Sequence, residues 1–274
     1  MGWFEAIVLG IVQGLTEFLP ISSSAHVSIV GQLLFEGKDP GAAFTAVTQL
    51  GTETAVLVYF WHDIVRIIRK WSMALVGKHD RQDPDVRMGW LVIVGSIPIV
   101  LLGLLFQDAI DTWLRSLWIT VAMLAGVGVV LWFADRFADR NERELTDLTW
   151  PHGLLFGLFQ ACALIPGVSR SGATISGGLF LGYTRVAATR YAFLLAVPAV
   201  FGSGLYKLKD IGEGHTAWGP TIVATLLAFT IGYAVIAWLL RYISTHSFRG
   251  FVYYRLGLAA VVATLLVTGV LPSA

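Results

Sequence analysis

The stretch Gly10-Ile11-Val12-Gln13-Gly14-Leu15-Thr16-Glu17-Phe18-Leu19-Pro20-Ile21-Ser22-Ser23-Ser24-Ala25-His26 decides how this chain is read. It lies within an apolar region, residues 3–35, and breaks it with a glutamine, a glutamate, a proline, three serines and a histidine. A second apolar region, 152–182, is broken in the same manner by Gln160 and then by Pro166-Gly167-Val168-Ser169-Arg170-Ser171-Gly172-Ala173-Thr174. Each arm flanking a break has about 10 to 15 residues, which at 1.5 Å per residue reaches roughly half a bilayer or a little more. The expectation is a helix that enters a membrane, breaks near its middle and returns. Broken backbone is tolerated at that depth only where protein or a wet cavity surrounds it.

The composition places these breaks in a membrane protein. Of 274 residues, 56% are hydrophobic and 14% charged, against about 25% charged in an average soluble domain. Mean hydropathy is +0.71. Such a chain lacks the polar surface of a soluble domain, and it is too apolar for disorder. Cys162 is the only cysteine, so a disulfide scaffold is excluded. A net charge of +1 offers no basic field for nucleic acid, and no nucleic-acid partner is expected. The N-terminus has no basic segment ahead of its apolar run and does not read as a cleavable signal.

Six further stretches have the length and apolarity of full transmembrane helices: 42–61, 89–106, 116–134, 186–206, 219–240 and 251–271. They lack the short alternating pattern of a barrel. Basic residues then orient the chain. Connections 62–88, 135–150 and 241–250 carry eleven Lys and Arg, whereas the connections on the opposite side carry four: Lys38, Arg115, Lys207 and Lys209. The eleven mark the cytoplasmic side. Both termini and the first break then fall on the outer side, and the second break on the inner side.

The two breaks also match one another. Gly10 to Gln13 recurs as Gly157 to Gln160; Pro20 and Pro166 follow, then Ser22/Ser24 and Ser169/Ser171. Each break precedes three spans, and an odd number of spans inverts the second half relative to the first. The expected fold is an all-α polytopic membrane protein with six full transmembrane helices and two re-entrant segments in an inverted-topology repeat. Its parts are a first repeat over 1–134, a cytoplasmic linker over 135–150 and a second repeat over 151–274. In such repeats the two re-entrant elements meet near the midplane and build one site.

The polar residues of the breaks are the candidates for chemistry. Gln13 and Glu17 are four apart and share a helix face. A glutamate in an apolar stretch is costly unless paired or bound to a cation, so Glu17 reads as a metal ligand or general base. Ser22, Ser23, Ser24 and His26 follow a helix-stopping proline and form a donor-rich turn suited to phosphate oxygens. His26, three residues after Ser23, is placed to act on that hydroxyl as base or acid; its plain alternative is a satisfied interior histidine. Arg170 in the second break carries a planar fork suited to phosphate or carboxylate. Its plain alternative is a structural ion pair with Glu17. Ser169, Ser171 and Thr174 complete the candidate substrate-binding set. Carboxylate, hydroxyl, imidazole, arginine and a divalent metal amount to phosphoryl-transfer equipment. A site at mid-depth among apolar spans suggests a lipid with an anionic head as substrate.

These motifs resemble the undecaprenyl-diphosphate phosphatase family, the bacitracin-resistance proteins. The resemblance extends to Thr48-Gln49-Leu50-Gly51 and Ala192-Phe193-Leu194-Leu195-Ala196-Val197-Pro198, and so covers nearly the whole chain. It implies a multi-pass hydrolase of the bacterial plasma membrane, with its site opening outward. Such a hydrolase removes the terminal phosphate of undecaprenyl diphosphate and returns the monophosphate to peptidoglycan synthesis. It also implies Mg²⁺ or another divalent cation as cofactor. By position, the resemblance assigns catalytic roles to Glu17, Ser23, His26 and Arg170, with Glu17 also as metal ligand. Gln13 stands where many members have Glu, which weakens a two-carboxylate metal site. Glu53, inside the first full span, is the residue able to supply the missing carboxylate, or it is a packing residue. Ser23 as nucleophile and Ser23 as positioner of water both stay open. Oligomeric state is open too, a homodimer included. The competing class is a lipid-carrier flippase, because inverted repeats with midplane sites are common among transporters.

Overall fold

The computed structural model describes residues 2–35, 42–208 and 217–272. Lys38 and Lys209, counted above toward the outer side, lie outside the described residues. The described residues form twelve α-helices and no strand; Arg143 and Tyr183 make an isolated bridge. Helix α1 spans Trp3–Thr16 and α2 Ser23–Leu34, so the first apolar region is two short helices joined by a turn. Then come α3, Ala42–Tyr59, and α4, Trp61–Leu75, separated only by Phe60. Next are α5, Pro84–Leu105, the short α6, Gln107–Asp111, and α7, Leu117–Phe137. The second broken region is α8, Trp150–Ala161, and α9, Arg170–Phe180. The chain continues through α10, Arg185–Leu208, α11, Trp218–Ile243, and α12, Arg249–Val267.

Five of these helices, α5, α7, α10, α11 and α12, are long and apolar enough to cross a membrane. They correspond to five of the six expected spans. The sixth, α3, is shorter and carries Thr48, Gln49, Thr52, Glu53 and Thr54 along its length. The chain is therefore an all-helical, multi-pass membrane protein. Large apolar side chains lie on its outside, and exposed tryptophans stand at the starts of α1, α4, α7, α8 and α11: Trp3, Trp61, Trp118, Trp150 and Trp218. Tryptophan at that position suits the membrane–water boundary, where one end of the ring is apolar and the other wet.

Small residues set the helix spacing. Lipid offers no hydrophobic drive between helices, so close backbone approach has to supply the contact. Helix α11 packs against both α1 and α3. A Cβ at Gly10 would come within 2.6 Å of the Ala224 carbonyl oxygen, and one at Gly51 within 2.5 Å of that of Thr225. Helix α8 packs on α5 by the same device: a Cβ at Gly157 would lie 2.1 Å from the Gly95 oxygen. Each broken segment thus packs on a long helix from the other half of the chain.

Charged groups gather at the connections. Lys70 donates to Asp83 at 2.9 Å and to Asp85 at 2.7 Å, tying α4 to the start of α5. Asp83 caps α5 by accepting the Asp85 N–H at 2.8 Å. His79 and Lys70 beside it hold its carboxyl well below the usual carboxylate range. Arg185 joins α10 to Asp135 at the end of α7, at 2.6 Å.

Gly157→Ala should lower the apparent melting temperature in detergent, since overpacking of this kind costs about 1–3 kcal/mol. Gly257→Ala, with nothing within 4 Å of the new carbon, should leave it unchanged or raise it slightly. Equal shifts for the two variants would remove the close-packing account.

Candidate active site

The two breaks have the same local structure. Ser22 and Ser169 are the only non-glycine residues with positive φ among the described residues, at 74° and 70°. Each stands at the N-cap of the helix that follows, α2 or α9. Each side chain accepts the backbone N–H three residues on: Ala25 N at 3.4 Å and Gly172 N at 3.1 Å. Each also pairs with the serine two residues later, Ser22 with Ser24 and Ser169 with Ser171, both at 3.1 Å. A serine N-cap is an ordinary helix start. The left-handed φ is not, and costs of order 1–3 kcal/mol at each residue.

The equivalent residues one step further on, Ser23 and Arg170, converge on a single carboxylate. Ser23 Oγ donates to Glu17 Oε2 at 2.6 Å. The Arg170 guanidinium bonds Glu17 Oε1. Gln13, one helical turn before Glu17, donates its amide to Oε2 at 2.7 Å. Glu17 thus has three donors in a buried position. Since Ser23 and Arg170 open α2 and α9, two helix N-termini also point at this place, which favours an anion there.

A second carboxylate reaches the same arginine. Glu53 on α3 is fully buried, and its Oε1 lies 3.0 Å from Arg170 Nη2. The pair lacks hydrogen-bond alignment, and neither oxygen of Glu53 has a hydrogen-bond partner among the described residues. With both glutamates ionised and one arginine between them, the cluster carries a net charge of −1.

Other expected residues have different partners. His26 does not pair with Ser23. Its Nδ1 is 2.7 Å from the Ser22 carbonyl oxygen, which can only accept, so Nδ1 carries a proton. Its Nε2 meets the Tyr254 hydroxyl at 2.8 Å, with the two rings stacked. The proton of Ser23 goes to Glu17, because the turn of α2 swings position 26 toward α12. Ser171 Oγ donates to the Leu19 carbonyl at 2.9 Å and Thr174 Oγ1 to the Arg170 carbonyl at 2.7 Å. Both are buried. In this structure both hydroxyls bond backbone carbonyls of the breaks. Ser23 and Arg170 are half-buried and Ser24 is exposed, so these three border the accessible side.

Arg255 on α12 was not singled out from the sequence. It is fully buried, and all its bonds go to carbonyl oxygens: Leu124, Met123, Pro20 and Gly167 at 3.0–3.1 Å, and Val168 at 3.2 Å. Three of these belong to the two breaks and two to α7. The signal was present, since an arginine inside an apolar span is unusual. Tyr254 beside it has no such signal. A separate cleft between α4, α5 and α10, bordered by Asp63, Arg66, Arg87 and Arg190, lies away from this cluster among the basic connections.

Fold and cluster together define a multi-pass membrane protein with a buried glutamate–arginine–serine centre where two helix breaks meet. The chain belongs to the bacitracin resistance protein BacA family, whose model matches residues 6–261. Curated relatives named undecaprenyl-diphosphatase span the chain. One from Micrococcus luteus is 63% identical over 99% of both chains. One from Pseudarthrobacter chlorophenolicus is 59% identical, also over 99% of both. One from Kineococcus radiotolerans is 61% identical over 100% of this chain and 97% of its own.

Replacing Arg255 with Leu should leave several buried carbonyls without donors, at about 1–3 kcal/mol each. A marked fall in apparent melting temperature is expected, larger than for Arg170→Leu, whose head group borders the accessible side. A smaller fall would show that the carbonyls find other donors.

Proposed function

We propose that this protein is an integral membrane phosphatase that hydrolyses undecaprenyl diphosphate to undecaprenyl phosphate and inorganic phosphate. The observation that carries the reading is the meeting of Ser23, Arg170 and Glu17 across the two breaks. Family membership and full-length relatives with that activity in their names support it.

The architecture belongs to the same proposal: six full spans, with α3 as the first, and two re-entrant segments in an inverted repeat, 1–134 and 151–274, joined by 135–150. The matched φ values and serine pairs of the breaks support it. So does the reciprocal packing of α1 on α11 and of α8 on α5. The protein lies in the bacterial plasma membrane, its site opens to the outer side, and membrane lipid surrounds the spans.

The steps follow from the side chains. Arg170 and the N-termini of α2 and α9 attract and orient the diphosphate. Ser23 Oγ attacks the terminal phosphorus, and its proton passes to Glu17 Oε2, already 2.6 Å away. The bond to the bridging oxygen breaks, and undecaprenyl phosphate leaves. Water then releases the phosphate from Ser23. In the variant of this route, Ser23 positions a water that attacks directly. His26 locks the turn through the Ser22 carbonyl and Tyr254, which keeps Ser23 at N1 of α2.

No group of three or more His, Cys, Asp or Glu suited to a metal occurs among the described residues. Mg²⁺ does not require one, because it binds one or two carboxylates and completes its shell with water and substrate phosphates. The net negative charge of the cluster and the unpartnered oxygens of Glu53 fit a divalent cation. Glu17 would hold it, and when bound it would neutralise phosphate oxygens.

The test is phosphate release from undecaprenyl diphosphate by purified protein with Mg²⁺. Glu17→Ala and Arg170→Ala should each lower the rate by roughly 100-fold or more. Unchanged rates in both would remove the site. Loss of turnover in Ser23→Ala supports the serine nucleophile; retained turnover leaves the water route. Carrier movement across liposomes without phosphate release would instead favour the flippase class.

A further inference from the structure

Glu53 is the residue that the steps above leave without work. It sits on α3, apart from both breaks, with its carboxylate fully buried. Its one ion-pair partner among the described residues is Arg170, 3.0 Å away and out of hydrogen-bond alignment. Both oxygens lack a hydrogen-bond partner among the described residues. Native proteins rarely leave buried polar atoms in that state, and an ionised carboxylate is the costliest group to leave so. Packing does not call for it, because a buried ion pair is often replaced without loss by apolar side chains of similar volume.

The surroundings say what the oxygens lack. Glu17 already accepts from Gln13, Ser23 and Arg170, which leaves it one free lone pair for a further partner. Arg170 is the one cation bonded to these two glutamates among the described residues, and it serves both. Gln13 contributes an amide and no charge. When both are ionised, two carboxylates against one guanidinium leave one negative charge in a buried place, and Glu53 Oε2 meets no donor among the described residues. A hard, oxygen-seeking divalent cation supplies what is missing.

We infer that Glu53, delivered by α3, is the second protein carboxylate of the cation site, with Glu17 as the first. This rests on the phosphatase reading only for the identity of the substrate; the cation site itself stands on the geometry. In this arrangement Arg170 holds the two carboxylates together while no cation is bound. A bound cation would neutralise the two carboxylates, which would leave the Arg170 guanidinium free to pair with phosphate. Glu53 thereby couples cation loading to the availability of the arginine.

The experiment measures cation binding without turnover. Mn²⁺ serves as the probe, titrated by electron paramagnetic resonance into the purified full-length protein in detergent, with Mg²⁺ as competitor. Wild type, Glu53→Gln, Glu53→Asp and Glu17→Gln are compared, with gel filtration as the folding control. Glu53→Gln should weaken Mn²⁺ binding by about tenfold or more, and Glu53→Asp, which keeps the charge, by less. Phosphate release by Glu53→Gln should recover in part at raised Mg²⁺. Unchanged Mn²⁺ affinity in Glu53→Gln overturns the inference even if turnover falls, for Glu53 is then only a counter-ion to Arg170. Wild type that binds no Mn²⁺ overturns it as well. If Glu53→Gln does not fold, equal affinity of Glu53→Asp and wild type, with Glu17→Gln also unaltered, counts against it. Wild type that binds Mn²⁺ but releases no phosphate leaves the cation site standing and removes the phosphatase reading instead.

Discussion

A guanidinium surrounded by five carbonyl oxygens holds this structure together at its centre. Arg255 reaches from α12 to Pro20 in one break, to Gly167 and Val168 in the other, and to Met123 and Leu124 on α7. A helix that breaks inside a membrane leaves carbonyls without partners, and no water is present to take them. One arginine, with its five donors in a fixed fork, meets that demand for both breaks at once. It has no carboxylate partner among these bonds. Its charge is spread over carbonyl dipoles instead, so it fixes the position of the breaks without competing for Glu17 or Glu53.

With the breaks fixed, the meeting of Ser23 and Arg170 follows. They are the first residues of α2 and α9, each launched by a serine in a left-handed conformation that an L-residue seldom adopts. The backbone strain is local. What it achieves is to turn two helix N-termini toward one carboxylate. Around that carboxylate, hydroxyl, amide and guanidinium are held at hydrogen-bond distance, which is the preorganisation that phosphoryl transfer relies on. The buried hydroxyls of Ser171 and Thr174 serve this purpose by gripping backbone.

Much of this was legible in the residues. The two breaks stood out because proline, serine and glycine interrupt long apolar runs. Glu17 and Arg170 stood out because charge is scarce in such runs, and α5, α7, α10, α11 and α12 were legible from length and apolarity alone. Other features were hidden, each for its own reason. Ser23 and His26 are three apart, a spacing that suggests contact. The spacing says nothing of which way the turn before α2 sends each side chain, and the turn sends them to Glu17 and Tyr254. The role of Arg255 was hidden because its partners are carbonyls more than 80 residues away and carbonyls leave no mark in sequence.

What the sequence determined by itself was a membrane class, two matching breaks and the short set of polar residues within them. Those are properties of local composition and spacing. Only the tertiary structure decided which polar residue meets which: that Ser23 and Arg170 share Glu17, that Glu53 comes in from a third helix, and that Arg255 ties the breaks together. These pairings depend on how close small residues such as Gly10, Gly51 and Gly157 let helices from opposite halves of the chain approach. That approach is a property of packed surfaces, and no local pattern along the chain encodes it.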